Sequence, residues 1–348
     1  MNLLVNKLPS ITWNHLKMNE TRVDLEENLE GFQPKADYNS AEISWNGDSG
    51  KAPVLHGDLD PVTAAAPAGL AETKENEKME APLVLSYDYD KKQKAASRLV
   101  LHAKEGSLLK VVVVLSGEPE ISVLQGEILA DKNAEIQVFL IDLLGEKSLC
   151  MNHMAGLALE GAKIQVIRLD LGGEKIYSGM NIDLKGFESS FCSETGYHVK
   201  PKQVLDMNYV AVHEGKNTDA TMEVNGTLEE GARKIFRGTI DFRQGCAGAK
   251  AAENENVMLM GDEMVNQTIP VILCKEEDVE GSHGASIGQL DDKVLFYLGS
   301  RGISKEAAQA MIAQARIDAI CEKIPVESVR SQIREFEEVR GISHGEEF

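Results

Sequence analysis

The chain has 348 residues, 43% hydrophobic and 26% charged, which suits a soluble globular protein with one large core or two medium ones. Its 56 Asp and Glu outweigh 36 Lys and Arg; a net charge of −20 repels phosphate backbones and anionic lipid, so nucleic acid and membranes are not expected partners. No segment approaches the roughly 20 apolar residues of a membrane helix, the N-terminus lacks a secretory pattern, and the five cysteines are odd in number and never spaced as CxxC, so the expected setting is a reducing cytoplasm.

Residues 1–50 mix short apolar patches with acidic stretches and read as a small N-terminal α/β region, with Pro9 placed to open a short helix through Trp13. Residues 51–82 hold four prolines, many alanines and a charged run, the composition of a linker or extended loop. From residue 83 to 298 short β-rich runs recur, at 108–115, 135–143, 162–171, 234–242 and 257–260, each bounded by Gly, Asn, Asp or Glu. Turns at Glu105-Gly106, Lys132-Asn133, Glu160-Gly161, Lys185-Gly186 and Glu230-Gly231 align with one another, and the first four lie 25–28 residues apart. A period in this range suggests a solenoid, with a residue permissive for positive φ at each corner. Rungs of a parallel β-helix fit the pattern; regular hairpins of a β-sandwich fit it equally. Residues 299–348 read as helical. Ser304 caps a helix whose Ala308, Met311, Ile312, Ala315, Ala319 and Ile320 share one face, and Pro325 opens a second with Val329, Ile333 and Phe336 on one side and Gly341 as terminator. Such helices would cap the solenoid end, form a docking platform, or both.

Motifs in the last third narrow the reading. Ser282-His283-Gly284-Ala285-Ser286-Ile287-Gly288 is followed by Asp291-Asp292 and Leu295-Phe296-Tyr297-Leu298-Gly299-Ser300-Arg301-Gly302-Ile303. Further blocks are His213-Glu214-Gly215-Lys216-Asn217-Thr218, Phe236-Arg237-Gly238, Leu259-Met260-Gly261-Asp262 and an N-terminal Leu8-Pro9 with Thr12-Trp13. In order and content these resemble the SufB/SufD family of SUF iron–sulfur cluster assembly proteins, on the SufD side, well over residues 200–320 and loosely elsewhere. The resemblance implies a mainly β protein with a right-handed parallel β-helix core, a small N-terminal region and a C-terminal helical segment that docks a SufC-type ABC ATPase. It implies pairing with a SufB-like subunit or a second copy, and a contribution to an iron or cluster site at that interface. A self-sufficient SufB-like homodimeric scaffold of a minimal two-component system is the alternative within the family. A β-helical carbohydrate-active enzyme is the alternative outside it, and would need acids clustered along one groove. The phosphate-loop order Gly-x-x-x-x-Gly-Lys-Ser/Thr is missing from the sequence, so the expectation is an assembly subunit and not an ATPase.

His283 is the leading candidate ligand. Imidazole binds iron, and its small neighbours Ser282, Gly284 and Ala285 leave room for another chain. Cys246 and Cys274 are candidates because thiolate is the natural ligand of iron and persulfide, although lone cysteines are mostly small core residues, and Cys274 follows the strand-like Pro270-Val271-Ile272-Leu273. His213 beside Glu214 could be an acid–base pair or part of a turn. Against the family's SufB pattern, Leu159 and Met264 stand where cysteines are implied, and Gly281 replaces a SufD-type cysteine. The expected cofactor state is nothing tightly bound, with transient iron or an iron–sulfur cluster completed across the interface.

Overall fold

Residues 111–114 are four consecutive valines with no polar face to offer water. The computed structural model, which describes residues 1–12, 16–25, 29–37, the backbone of 42–44, 55 and 57–341, buries both of their faces. Val111 and Val113 point into a central core, where Ile136, Val138 and Leu140 of the next coil continue the stack. Val112 and Val114 point outward into a second apolar layer. A strand covered on both sides has no reason to alternate, which is why this run is continuous.

The chain winds between two parallel sheets. The first stacks Ala68–Glu72, Lys94–Ala103, Ile121–Ala130, Leu149–Ala158, Lys175–Leu184, Val204–His213, Arg233–Phe242 and Val265–Cys274. The second stacks Leu83–Tyr89, Leu108–Gly117, Glu135–Leu144, Lys163–Asp170, Ser190–Val199, Asp219–Glu229, Ala249–Met260 and Val279–Gly288. Successive coils pair in parallel, as in Lys94↔Ile121 and Ile121↔Leu149. This is a parallel β-solenoid of about eight turns, and the sandwich reading is excluded.

One edge of the solenoid explains the turn spacing. Asn76, Gly106, Asn133, Gly161, Glu188, Asn217 and Gly248 all have positive φ. Backbone N–H groups climb this column: Gly106 to the Lys132 carbonyl (2.9 Å), Asn133 to Glu160 (2.8 Å), Gly161 to Phe187 (2.8 Å) and Asn217 to Ala247 (3.0 Å). Asparagine and glycine alternate because they fit each other. A Cβ on Gly106, Gly161 or Gly248 would collide with Oδ1 of Asn76, Asn133 or Asn217 respectively. At the fourth aligned turn the left-handed residue is Glu188, and Gly186 serves close approach to the Glu160 backbone. Gly231, aligned with these turns in the sequence, lies on the opposite edge, between Asp219–Glu229 and Arg233–Phe242.

Both outer faces are dressed. The N-terminal strands Asn2–Val5 and Thr21–Asp24 pair antiparallel and lay Leu3, Val5, Val23 and Leu25 on Ala96, Val123 and Met151 of the first sheet. Residues 9–12 are not helical, and the rest of the helix expected from Pro9 falls outside the described residues. The expected linker over 51–82 is not structureless. It holds α1 (Asp60–Thr63) and the strand Ala68–Glu72, which joins the first sheet beside Lys94–Ala103. Proline punctuates this stretch without preventing it from pairing at the sheet's beginning.

Three further helices follow the solenoid: α2 (Asp292–Gly299), α3 (Lys305–Cys321) and α4 (Glu327–Val339). They do not cap its end. Ile317, Ile320, Cys321, Ile324, Val329 and Ile333 cover Val112, Phe139, Ile141 and Leu169 on the outer face of the second sheet. In α4 the inward residues are those expected. In α3 they are Ala308, Ala313, Ile317, Ile320 and Cys321, while Met311, Ala315 and Ala319 are exposed. Among the described residues no helix is long and apolar enough to cross a membrane.

Candidate functional site at the open last coil

Among the described residues Val265–Cys274 and Val279–Gly288 each pair on one side only, with Arg233–Phe242 and Ala249–Met260. Both last strands therefore present an unpaired ladder edge, and the second of them is exposed along nearly its whole length. Pro270 fits here because an edge strand can spare an N–H. Long bare edges are template surfaces that proteins otherwise blunt or cover.

Register decides which side chains look inward. Phe236, Ile240 and Phe242 lie in the core, so their ladder partners Thr268, Ile272 and Cys274 continue the same columns. In the other sheet Glu253 is the partner of His283, and Ala251 of Gly281. His283 thus stands on the inward column of the terminal strand and is exposed because no coil follows. A Cβ on Gly281 would press on Phe242, so the position beside His283 has no room for a cysteine without movement.

Beneath the mouth the interior turns polar. Lys234 is fully buried, forms an ion pair with Glu255 and donates to Thr268 Oγ1 at 3.1 Å. Thr268 in turn donates to the other Glu255 oxygen at 2.6 Å. Burial pulls the Lys234 ammonium below its ordinary value, against the attraction of Glu255. Glu253 has no such partner: its Oε2 is buried without a hydrogen bond, and the carboxyl lies over Gly238, where a Cβ would collide. Burial, reinforced by the nearby Glu255 charge, pushes its pKa up to about 7, with Lys234 pulling the other way.

The cysteines separate. Cys274 is exposed on the open edge, its thiol donating to the Glu276 carbonyl at 3.1 Å, which differs from the buried strand position its apolar neighbours suggested. Cys246 is buried in the core, its thiol pushed up by burial, Glu276 and the nearby Cys274. His213 and Glu214 do not form a pair. His213 Nδ1 lies 2.7 Å from Thr218 Oγ1, and its ring packs 4.9 Å from Phe242. Burial lowers it to about 4, while Glu214 reaches Arg243 at 3.2 Å on the surface. Met264 is partly buried against the core. Among the described residues no three His, Cys, Asp or Glu side chains gather as a metal site.

Lys234, Glu253 and Glu255 were not anticipated from the sequence. Their signal is the register of Ala249–Met260: Ala249, Ala251 and Val257 alternate inward, and the two glutamates between them fall on the same inward parity.

A two-sheet parallel solenoid that ends on a bare, partly polar coil, with apolar layers laid on both outer faces, defines a β-solenoid protein whose most open surface is that end. The chain belongs to the SufB/SufD family of the SUF system: the family description "SUF system FeS cluster assembly, SufBD core domain" matches residues 87–316. Among similar proteins, the iron–sulfur cluster assembly protein SufD of Bacillus subtilis is 30% identical over 122 residues, 35% of this chain and 28% of that protein. A SufBD family protein of Staphylococcus saprophyticus is 28% identical over 125 residues, 36% and 27% of the two chains. The alignments therefore span little more than a quarter of these relatives.

Proposed function

We propose that the chain is a SufD-like, non-ATPase subunit of a cytoplasmic iron–sulfur cluster assembly complex. It pairs through its last coil with a SufB-like subunit or a second copy of itself, and His283 supplies one ligand to iron or to a nascent cluster at that interface. The observation that carries this reading is the position of His283: inward-facing, exposed, on an open-edged strand, one strand from a carboxyl whose Oε2 is buried without a hydrogen bond. A single imidazole cannot hold a cluster, so the remaining ligands come from across the interface. The carbohydrate-active alternative has no support in the family match.

Cys274 favours the homodimeric reading as a second possibility. It shares the open edge with His283 and is exposed, so two copies meeting there would bring two imidazoles and two thiols to one interface. Cys246 has no route to a ligand role without opening the core.

The ATPase partner, expected at the helices of 299–348, is placed in this reading on α2, just ahead of them. The apolar faces of α3 and α4 are spent on the second sheet, whereas Phe296 is 81% and Tyr297 54% exposed on α2.

His283→Ala tests the ligand assignment. Iron content and cluster yield of the assembled complex should fall severalfold, while thermal stability and ATPase binding stay unchanged, because the side chain supports no packing. Wild-type cluster yield in the variant would remove His283 from the chemistry.

A further inference from the structure

On the outer face of the first sheet, one strand in from the last coil and lined by residues other than those of its mouth, lies a cavity of about 810 Å³. Its floor is two rows of the parallel ladder. Lys175, Val204 and Arg233 form one row, and Tyr177, Asp206 and Ile235 the other. The wall is the N-terminal segment, which brings Lys17 and Arg22 to the rim. That wall is anchored: Arg237 donates to the Met18 carbonyl at 2.6 Å, and Thr21 and Asn6 both donate to the Asp206 carboxylate, at 2.5 and 2.8 Å.

The charge balance inside is unusual for this chain. Arg237 pairs with Asp206, so that acid is already neutralised by a cation outside the lining. Lys17, Arg22, Lys175 and Arg233 remain, and none has a carboxylate partner among the described residues; Glu20 is the one other acid in the lining. Elsewhere cations bridge coils, as in Lys132–Glu160 and Lys250–Glu280. Four solvent-exposed cations without acid partners line one hollow and repel one another, in a molecule of net charge −20 that has acids to spare. The floor between them is mixed: the already paired Asp206 lies between Tyr177, whose phenol burial pushes up, and Ile235, with Val204 in the next row. Lys175 and Arg233 are two strands apart, about 9.5 Å at Cα, a span that long side chains close around more than one anionic group.

We propose that this cavity binds a soluble nucleoside di- or triphosphate-type ligand, with the phosphates held by Lys17, Arg22, Lys175 and Arg233 and the base on Tyr177. The volume falls in the range of small-molecule sites, roughly 300–1,000 Å³. Stacking on an aromatic ring accounts for the base, and cationic side chains of two elements account for the phosphates. The site is independent of the cluster-assembly reading and stands or falls separately from it.

The test is calorimetric titration of the purified full chain at low ionic strength with ADP, and separately with inorganic pyrophosphate. Saturable binding of both is expected, with ADP the tighter. Lys175→Gln combined with Arg233→Gln should weaken both at least tenfold without changing the melting temperature of the free protein, since neither side chain holds a partner. Arg22→Gln alone should weaken both severalfold. Tyr177→Ala should weaken ADP and leave pyrophosphate unchanged. Failure of either probe to saturate, or equal binding by the double variant, overturns the proposal. So does association with vesicles of anionic phospholipid in place of ADP, which would make the hollow a headgroup site.

Discussion

Glu253 and His283 are ladder partners in the last two coils, so a buried carboxyl lies one strand below the exposed imidazole on the same inward column. The carboxyl's folded pKa, about 7, stands above its unfolded value of 4.5. The unfolded chain therefore ionises first as pH rises, and the folded state loses stability between about pH 4.5 and 7. A shift of this size is worth about 3 kcal/mol at most. Glu253→Gln should remove that loss, leaving the variant the more stable of the two at pH 8 and closer to the wild type at pH 5. Denaturant melts at both pH values measure it. Asp142 and Glu337, also raised by burial, contribute with the same sign and cancel in the difference. Parallel pH profiles for the two proteins would refute the assignment.

The exposed ring pair on α2 predicts where the ATPase subunit binds. Phe296→Ser with Tyr297→Ser should abolish co-purification with that subunit and leave the melting temperature within a degree or two, because neither ring is needed by the fold. Retained binding would move the contact to another surface.

Removing residues from Ser304 onward is a poor test of the same contact. It strips α3 and α4 from Val112, Val114, Phe139 and Ile141, and the exposed sheet should aggregate. The milder Ile333→Ala, at a fully buried position, should cost about 2–5 kcal/mol in chemical denaturation. A change under about 0.5 kcal/mol would mean that α4 does not clamp the sheet.

The corner column predicts a coupled pair. Gly161→Ala places a Cβ at positive φ and against Asn133, and should destabilise by about 1–3 kcal/mol. Adding Asn133→Gly removes the collision and should restore part of the loss. Strict additivity in the double-mutant cycle would show that the asparagine does not occupy the space above the glycine.

What could be read in advance follows from which forces act locally. Gly106, Asn133 and Gly161 announced the coils because a left-handed corner restricts residue type wherever it occurs. Val329, Ile333 and Phe336 announced α4 because nearly all of its other positions are charged or polar. In α3 the alanines spread around the whole helix, so Met311 and Ala319 were as plausible inward as Ile317. Residues 292–299 read as the tail of the strand region because Val294, Leu295, Phe296 and Tyr297 are apolar yet largely exposed, a pattern no packing rule of a single chain rewards. His283 was identifiable by its motif. The acid beneath it was not, since its importance lies in a ladder register thirty positions away in the chain.

The paired occupancy of the corner column also sets the length in which this protein can be edited. Asn76 needs Gly106 above it, Asn133 needs Gly161, and Asn217 needs Gly248. Excising the single coil that carries Gly161 would set Asn133 against Glu188, whose Cβ occupies the place the amide oxygen requires. Excising the coils of Asn133 and Gly161 together would instead join Gly106 to Glu188, a contact with no amide to displace. The Asn and Gly coils are therefore exchangeable only in pairs, whereas the coil of Glu188, set between Gly161 and Asn217, is the one that could be removed singly without turning an asparagine against a side chain.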